Sequence, residues 1–197
     1  MDKLNREVVM RFGLTATAAL ALLAVSATGA SADQKVVGAG TSMTCIAQAQ
    51  DPNADLKAAV QGCTDALNFQ PMSISDRVGT VINRGILRAR MHDATGALSD
   101  YNDAISMDDK AAQAYLNRSA TLIGLKRYSE AKSDADKAIA LQATPLEVGY
   151  FNRAVAEEGL GNVRAAYEDY KMALKVQPNF QPAKDELTRF KVTGSSS

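Results

Sequence analysis

Small, apolar and polar residues recur along the chain with a period of 34 or 35 positions. Each period contains an Asn-Arg dipeptide followed by a small residue, in Asn83-Arg84-Gly85, Asn117-Arg118-Ser119 and Asn152-Arg153-Ala154. Two alanines seven residues apart come next, and an apolar residue directly follows the second, as in Ala97, Ala104 and Ile105, in Ala131, Ala138 and Ile139, and in Ala166, Ala173 and Leu174. This spacing predicts three copies of one structural unit.

Each copy divides into two helical stretches with a short turn between them. The turns are predicted at His92-Asp93, Lys126-Arg127 and Gly161-Asn162. The small residues allow two antiparallel helices to approach closely, while larger neighbours fill the remaining space. The pattern therefore predicts an all-α fold of antiparallel helix pairs. Three aromatic residues are expected to pack inside the pairs rather than stack on a ligand, namely Tyr101, Tyr128 and Tyr170.

The three copies resemble the tetratricopeptide repeat family, whose unit of about 34 residues carries aromatic, small, alanine and proline positions at set intervals. The third copy matches most fully, through Tyr150, Ala154, Gly161, Ala166, Tyr170, Ala173 and Pro178. The second matches through Tyr115, Ser119, Ala131, Ala138 and nearby Pro145. The first keeps Gly85, Ala97, Tyr101 and Ala104, but Val81 replaces the leading aromatic residue. The resemblance implies a right-handed superhelix (an α-solenoid) with three full repeats, at about 78–111, 112–146 and 147–180, within residues 76–180.

Weaker matches extend the resemblance at both ends. The second helix of a degenerate N-terminal repeat, within residues 33–75, is indicated by Ala59, Cys63, Ala66, Leu67 and Pro71. Beyond the third copy, Leu187 and Phe190 would share one side of a helix. Residues 181–192 are therefore expected to form a capping helix, and residues 193–197 a disordered tail.

The first 32 residues read as a signal peptide. Basic residues outnumber acidic ones up to Arg11, Phe12 to Val25 is uncharged, and Ala30-Ser31-Ala32 offers small residues for cleavage after Ala32. The uncharged run has 14 residues, fewer than the roughly 18 that a membrane-spanning helix needs, so a retained anchor is the weaker interpretation. We expect an exported protein, periplasmic or secreted, with no membrane span after cleavage.

Two cysteines, Cys45 and Cys63, remain after that cleavage and would meet an oxidising compartment. A structural disulfide between them is favoured, because no Cys-x-x-Cys motif suggests a redox pair. Their separation of 18 residues corresponds to a stabilisation of about 3 kcal/mol in the chain-entropy model. Such a bridge would join the two helices of the degenerate repeat.

Composition and motifs exclude several functions. With 22 basic and 22 acidic residues, the chain offers no electrostatic basis for nucleic-acid binding. The single histidine, His92, lies in a predicted turn, and no cluster at metal-ligand spacing accompanies it. No phosphate-binding loop and no nucleophile motif is present. We therefore expect no catalytic residue, no metal and no cofactor, and no enzyme activity.

An arginine follows the asparagine in every copy, where the family more often has leucine. An aspartate recurs in step with it, so that we predict three structural ion pairs: Arg84 with Asp100, Arg118 with Asp134, and Arg153 with Asp169.

The resemblance also implies that the first helix of each repeat lines a concave surface that holds peptides. The inward positions would be Ile82, Asn83, Ile86, Leu116, Asn117, Ala120, Phe151, Asn152 and Val155. An asparagine amide can both donate to and accept from a peptide backbone, which suits an extended protein segment. Lysine, which chaperone-type members use to clamp a terminal carboxylate, occupies none of these nine positions. Alternatively, the asparagines satisfy helix backbone, and the chain's own N-terminal segment covers the apolar strip.

Two functions follow from this interpretation. The first is a non-catalytic scaffold or adaptor of the cell envelope that binds a protein or peptide partner. The second is a structural protein that associates with copies of itself as a homo-oligomer, each groove receiving a neighbouring copy.

Overall fold

A computed structural model describes residues 7–10 and 41–193 of the 197-residue chain. The chain divides into two compact units. We call residues 21–121 the amino-terminal unit, and residues 122–197 together with 1–20 the carboxyl-terminal unit. Most of the predicted signal peptide, and residues 33–40 of the predicted degenerate repeat, lie outside the described residues.

Residues 41–121, the described part of the amino-terminal unit, form helices joined by short turns. They are α1 (Thr41–Gln50), α2 (Leu56–Phe69), α3 (Ile74–Arg90), α4 (Ala94–Met107) and the first ten residues of α5 (Ala112–Gly124). Three helices begin at an N-cap residue. The side chains of Asp55, Ser73 and Asp93 accept hydrogen bonds from backbone N–H groups in the first turns of α2, α3 and α4, respectively. The predicted turn after α3 contains His92, whose positive φ of 61° reverses the chain.

The core of this unit shows why small residues recur. A Cβ atom on Gly85 would lie 2.6 Å from Cε1 of Tyr101, so that only glycine lets α3 approach the buried tyrosine of α4. Around this contact pack Ala111, just before α5, and apolar residues of four helices, namely Leu67, Val78, Val81, Ile82, Ala97, Ala104 and Ala114. The expected packing role of Tyr101 is therefore observed.

The carboxyl-terminal unit continues the helical pattern. It contains α6 (Tyr128–Ala140), α7 (Leu146–Gly159), α8 (Val163–Val176) and α9 (Gln181–Leu187). Two short strands, β1 (Glu7–Met10) and β2 (Phe190–Thr193), pair antiparallel, with Glu7 opposite Thr193 and Met10 opposite Phe190. Within residues 7–10 and 41–193 all other regular elements are α-helices, which confirms the all-α prediction.

The end of the chain differs from the prediction. The capping helix expected at 181–192 ends at Leu187, and Thr193, expected in a disordered tail, belongs to β2. Phe190 is buried, with its ring centroid 5.7 Å from that of Tyr167 and 5.8 Å from that of Tyr170. A spacing of three residues between Leu187 and Phe190 fits a helix, but it does not require one. In the structure Phe190 belongs to β2 and packs against α8. Residues 194–197 lie outside the described part.

Candidate functional site

The nine predicted peptide-binding positions differ in how far their side chains are buried. In the amino-terminal unit, Ile82 and Leu116 are buried, and Ile86 packs against the core around Tyr101. In the carboxyl-terminal unit, the half-buried Phe151 lies 5.6 Å, centroid to centroid, from both Tyr170 and Phe180. Much of the predicted apolar strip therefore belongs to the two cores. The accessible positions are Asn83, Ile86, Asn117, Phe151 and Val155, which are half-buried, and Ala120, which is exposed.

The three asparagines have different environments. Asn152 is only 5% exposed, so its amide is not open to a peptide in this conformation. Asn117 donates from Nδ2 to the backbone oxygen of Gln113 at 2.8 Å, one turn earlier on α5. Among the residues whose side chains the structure describes, none forms a hydrogen bond with the half-buried carboxamide of Asn83. Of the three asparagines, Asn83 is therefore the one whose amide is accessible to solvent and makes no hydrogen bond to the described side chains. We call it an uncommitted amide.

A stripe of residues on α3 surrounds Asn83. Gly79, Asn83, Ile86 and Arg90 are spaced so that they lie on one side of the helix, and all four are half-buried. The corresponding stripe on α5 is Gln113, Asn117 and Ala120, and the first turn of α5 packs into the core that contains Ile82 and Ile86. We call the six uncharged residues of these two stripes the amide face: Gly79, Asn83, Ile86, Gln113, Asn117 and Ala120.

The guanidinium of Arg90, next to the amide face, makes hydrogen bonds to backbone oxygens in and just after α1. Its Nη1 donates to the backbone oxygens of Gln48 and Ala49, and its Nη2 to those of Asp51 and Pro52, at 2.8–3.4 Å. Backbone oxygens in the last turn of α1 and in the two residues after Gln50 therefore accept hydrogen bonds from a side chain of α3. The sequence suggests no such role for Arg90, because its acceptors are backbone atoms about 40 residues away.

In the carboxyl-terminal unit, the carboxylate of Glu158 also has hydrogen-bond partners within the fold. Its carboxylate accepts a hydrogen bond from Tyr170 Oη at 3.1 Å and from Arg189 Nη2 at 2.8 Å. Burial, followed by the charge of Glu158, raises the pKa of the Tyr170 hydroxyl well above its ordinary value. Tyr170 therefore stays neutral and acts as a donor.

Two of the three predicted arginine–aspartate pairs lie within one unit, and the structure shows their geometry. Arg84 donates to Asp100, with Nη2 at 2.7 Å from Oδ1, and Arg88 Nη1 lies 2.8 Å from Oδ2 of the same buried carboxylate. Arg153 contacts Asp169 through Nε and Nη2, and these hydrogen bonds raise its pKa further. The pair of Arg118 with Asp134 stays a prediction. Arg118 donates from Nη1 to Asn102 Oδ1 at 2.6 Å and lies over the ring of Tyr115.

A disulfide joins Cys45 of α1 to Cys63 of α2, with their Cα atoms 5.0 Å apart. Both cysteines are fully buried, and they pack with Ala59 and Leu87. A sulfur pair without solvent contact is poorly placed for exchange with an external thiol, so the bridge has the position of a structural link.

Among residues 41–193, no three histidine, cysteine, aspartate or glutamate side chains are grouped so that they could hold a metal ion. His92 lies exposed in its turn. None of the helices described here has the length and apolar character needed to cross a bilayer.

Comparison with known proteins identifies the repeat. The family model of the tetratricopeptide repeat matches residues 112–145. Rat serine/threonine-protein phosphatase 5 is 37% identical over 92 residues, which are 47% of this chain and only 18% of that protein. The match therefore concerns a small part of the phosphatase.

Solved structures extend the similarity. The second tetratricopeptide domain of human RPAP3, in complex with the HSP70 peptide SGPTIEEVD, is 23% identical, with a TM-score of 0.55 over 59% of this chain and 96% of that chain. MamA from Desulfovibrio magneticus RS-1 is 15% identical, with a TM-score of 0.61 over 74% of this chain and 77% of that chain. The family model, the partial relative and these structures together support a tetratricopeptide repeat fold for this chain.

Proposed function

We propose that this chain is a non-catalytic scaffold or adaptor that binds an extended protein segment through the amide face. The observation that carries the proposal is the uncommitted carboxamide of Asn83, which stands between Gly79 and Ile86 on an accessible side of α3. A primary amide offers a donor and an acceptor side by side, and one peptide unit of an extended chain presents both complements.

The similarity to a domain that is bound to a peptide supports this function. The human RPAP3 domain is in complex with SGPTIEEVD, which contains three acidic residues. No lysine or arginine occupies the amide face or the other predicted binding positions, and Arg90 is committed to α1. We therefore propose a ligand whose charge is not the main recognition feature. Phosphatase activity is not part of the proposal, because the similarity covers 18% of the phosphatase.

Crosslinking in the native compartment tests the binding role. A photoreactive residue replaces the exposed Ala120, and its captured products are compared between the parent chain and an Asn83→Ala/Asn117→Ala variant. We expect the double substitution to reduce specific products strongly while the melting temperature stays within a few degrees, because neither side chain is a core contact. Equal capture by the two proteins would remove the amide face from the binding site.

We also propose that the protein acts after export, in the periplasm or outside the cell. The support is the leader-like composition of residues 1–32, together with a buried disulfide that needs an oxidising compartment to form. Fractionation and N-terminal sequencing test it. We expect a periplasmic or secreted protein that begins at Asp33 and so lacks strand β1, which lies in the segment removed by cleavage. A cytoplasmic protein that begins at residue 1 would contradict export.

Self-association is the second candidate function. Phe69 and Ile74, on either side of the turn between α2 and α3, are 79% and 72% exposed, which is high for large apolar side chains. Light scattering of the purified protein distinguishes the candidates. A stable oligomer that dissociates on Phe69→Ser/Ile74→Ser substitution would favour self-association, and a monomer at all concentrations would exclude it.

A further inference from the structure

The pairing of β1 with β2 joins two distant parts of the chain. β1 lies within residues 1–32, which have the leader-like composition, whereas β2 follows α9. The strands are antiparallel, from Glu7 opposite Thr193 to Met10 opposite Phe190. β1 also lies against α8, so that it covers one edge of β2 and part of a helix at the same time. Cleavage at the end of the leader would remove β1 and uncover both.

The start of β2 is held in place by residues of its own unit other than β1. The buried ring of Phe190 packs with that of Tyr167 on α8. The preceding residue, Arg189, donates from Nη2 to both carboxylate oxygens of Glu158 on α7, each at 2.8 Å, and it forms an ion pair with Glu186 on α9. These contacts do not involve β1. The uncovered edge of β2 is therefore preorganised to receive another strand.

We infer that, in the protein that begins after Ala32, the edge of β2 vacated by β1 binds an extended segment of another protein and adds it as a strand. This surface is separate from the amide face, and the inference rests on the proposed export. An unpaired strand edge presents backbone N–H and C=O groups that a neighbouring strand satisfies. Addition of a strand to such an edge is a general mode of peptide recognition.

The register of β1 indicates which sequences fit this edge. Residues directly opposite one another in an antiparallel pair lie on the same face of the sheet, and successive residues alternate between the faces. Val8 and Met10 therefore occupy positions on the face of Phe190, which is the face that packs against α8. The ligand is thus an extended segment with apolar residues at two alternate positions, whose main chain makes the hydrogen bonds.

The β2 strand of a second copy fits this position poorly. The Phe190 ring of that copy is already buried in its own core. A strand in the position of β1 has to turn its apolar face towards α8 of the first copy, and one strand face cannot pack against two helices at the same place. The edge therefore fits a segment without packing of its own, such as a linker or terminal segment of a different protein.

The probe for this edge is a synthetic peptide of residues 5–12, NREVVMRF, which contains β1. Fluorescence anisotropy measures its affinity for the protein that begins at Asp33, for the full chain, and for the full chain with Val8→Pro/Val9→Pro. We expect the full chain to bind the peptide at least about tenfold more weakly than the cleaved protein, because its own β1 competes at a high effective concentration. The proline variant should recover the affinity, because its β1 cannot pair. Equal affinities of the cleaved protein and the full chain would overturn the inference.

Two modified peptides distinguish strand addition from unspecific apolar contact. One is N-methylated at Glu7 and Val9, and the other at Val8 and Met10. The amides of alternate residues in an antiparallel strand point to opposite sides, so that only one of these two sets faces β2. We expect one modified peptide to lose about tenfold or more in affinity and the other to bind nearly as well as the unmodified peptide. Equal affinities of the two modified peptides would overturn strand addition.

N-terminal sequencing of the natural protein separates this inference from the proposed export. A protein that begins at residue 1 would overturn both, because β1 would stay on the edge of β2. A protein that begins at Asp33 but does not bind the peptide would overturn the inference alone. An oligomer of the cleaved protein that dissociates when the peptide is added would show that a second copy occupies the edge, which contradicts a different protein as the occupant. The amide face belongs to the other unit, so its binding role is decided by its own crosslinking experiment.

Discussion

Arg153 holds Asp169 with two parallel hydrogen bonds, Nε to Oδ2 at 2.8 Å and Nη2 to Oδ1 at 2.7 Å. Its remaining terminal nitrogen, Nη1, donates to Asp136 at 2.8 Å. One guanidinium on α7 therefore connects the preceding helix α6 to the following helix α8. Arg84 does the same in the amino-terminal unit, where it joins Thr64 of α2 to Asp100 of α4. The arginine that departs from the family pattern thus serves as a bridge among three helices.

We predict that Arg153→Lys destabilises the protein by about 1–2 kcal/mol, although it keeps the charge, because an ammonium group cannot make the paired contact and reach a second carboxylate. Urea unfolding measures the loss. A cycle with Asp169→Asn should show a coupling energy above about 0.5 kcal/mol. The matched control is Arg127→Lys, since the Arg127–Glu130 pair is exposed, and it should change stability by less than about 0.5 kcal/mol. Additive effects in the cycle would show that the paired contact contributes nothing.

The close approach of α3 to α4 gives a second prediction. Gly85→Ala should destabilise by about 1–3 kcal/mol, because the new methyl group would lie 2.6 Å from the ring of the buried Tyr101. Gly79→Ala, in the same helix but with open space, should stabilise. Thermal unfolding of both variants checks the signs. A gain in stability from both would mean that the Tyr101 ring moves aside without cost.

These contacts show what the sequence could and could not predict. The period of the alanines places residues on the inner or outer side of a helix, and it therefore predicted the helix pairs, the turns and the position of Tyr101. The burial of each position could not be predicted in this way, because it depends on which other residues pack over that position. Asn83, Asn117 and Asn152 occupy equivalent places in the repeat, yet only Asn83 combines an open position with an uncommitted amide. The second partners of the arginines were missed because they do not recur at one spacing.

The covalent link between α1 and α2 gives a third prediction. Removing it with Cys45→Ala/Cys63→Ala should lower the free energy of opening the α1–α2 pair by about 3 kcal/mol in the chain-entropy model. Because the described side chains that α1 contributes to its core cluster, Cys45 and Ala49, are small, the loss should be local. Hydrogen exchange should show faster exchange for the amides of α1, with those of α8 unchanged. Uniform loss of protection in both helices would show that the bridge stabilises the whole chain instead.

The hydrogen bonds of Arg90 give a fourth prediction. Arg90→Ala should remove one donor from each of four backbone oxygens, two in the last turn of α1 and two just after it, and should raise exchange rates in the last turn of α1. With the disulfide intact, the amides around Cys45 should change less. Arg90→Lys should restore protection only in part, because an ammonium group cannot reach all four oxygens. Unchanged exchange in the Arg90→Ala variant would mean that water replaces the guanidinium without cost.

The last prediction concerns Glu186, near the end of the carboxyl-terminal unit. Burial, opposed in part by Arg189 and strengthened by the charge of Glu158, raises the pKa of the Glu186 carboxyl above its ordinary value. A raised pKa means that folding favours the protonated form. The group's contribution to stability is therefore fully present below its unfolded pKa, and it is lost as the pH rises through the folded pKa.

Glu186→Gln mimics the protonated form at every pH and keeps an acceptor for Arg189. Its stability relative to the parent chain should therefore increase as the pH rises from about 4 to about 7, with little difference at the acidic end. Urea midpoints across this range measure the effect, and Glu168→Gln, at an exposed pair with Lys171, is the control. A parent chain that is more stable than Glu186→Gln at neutral pH would show that the ion pair with Arg189 outweighs the burial of the carboxylate.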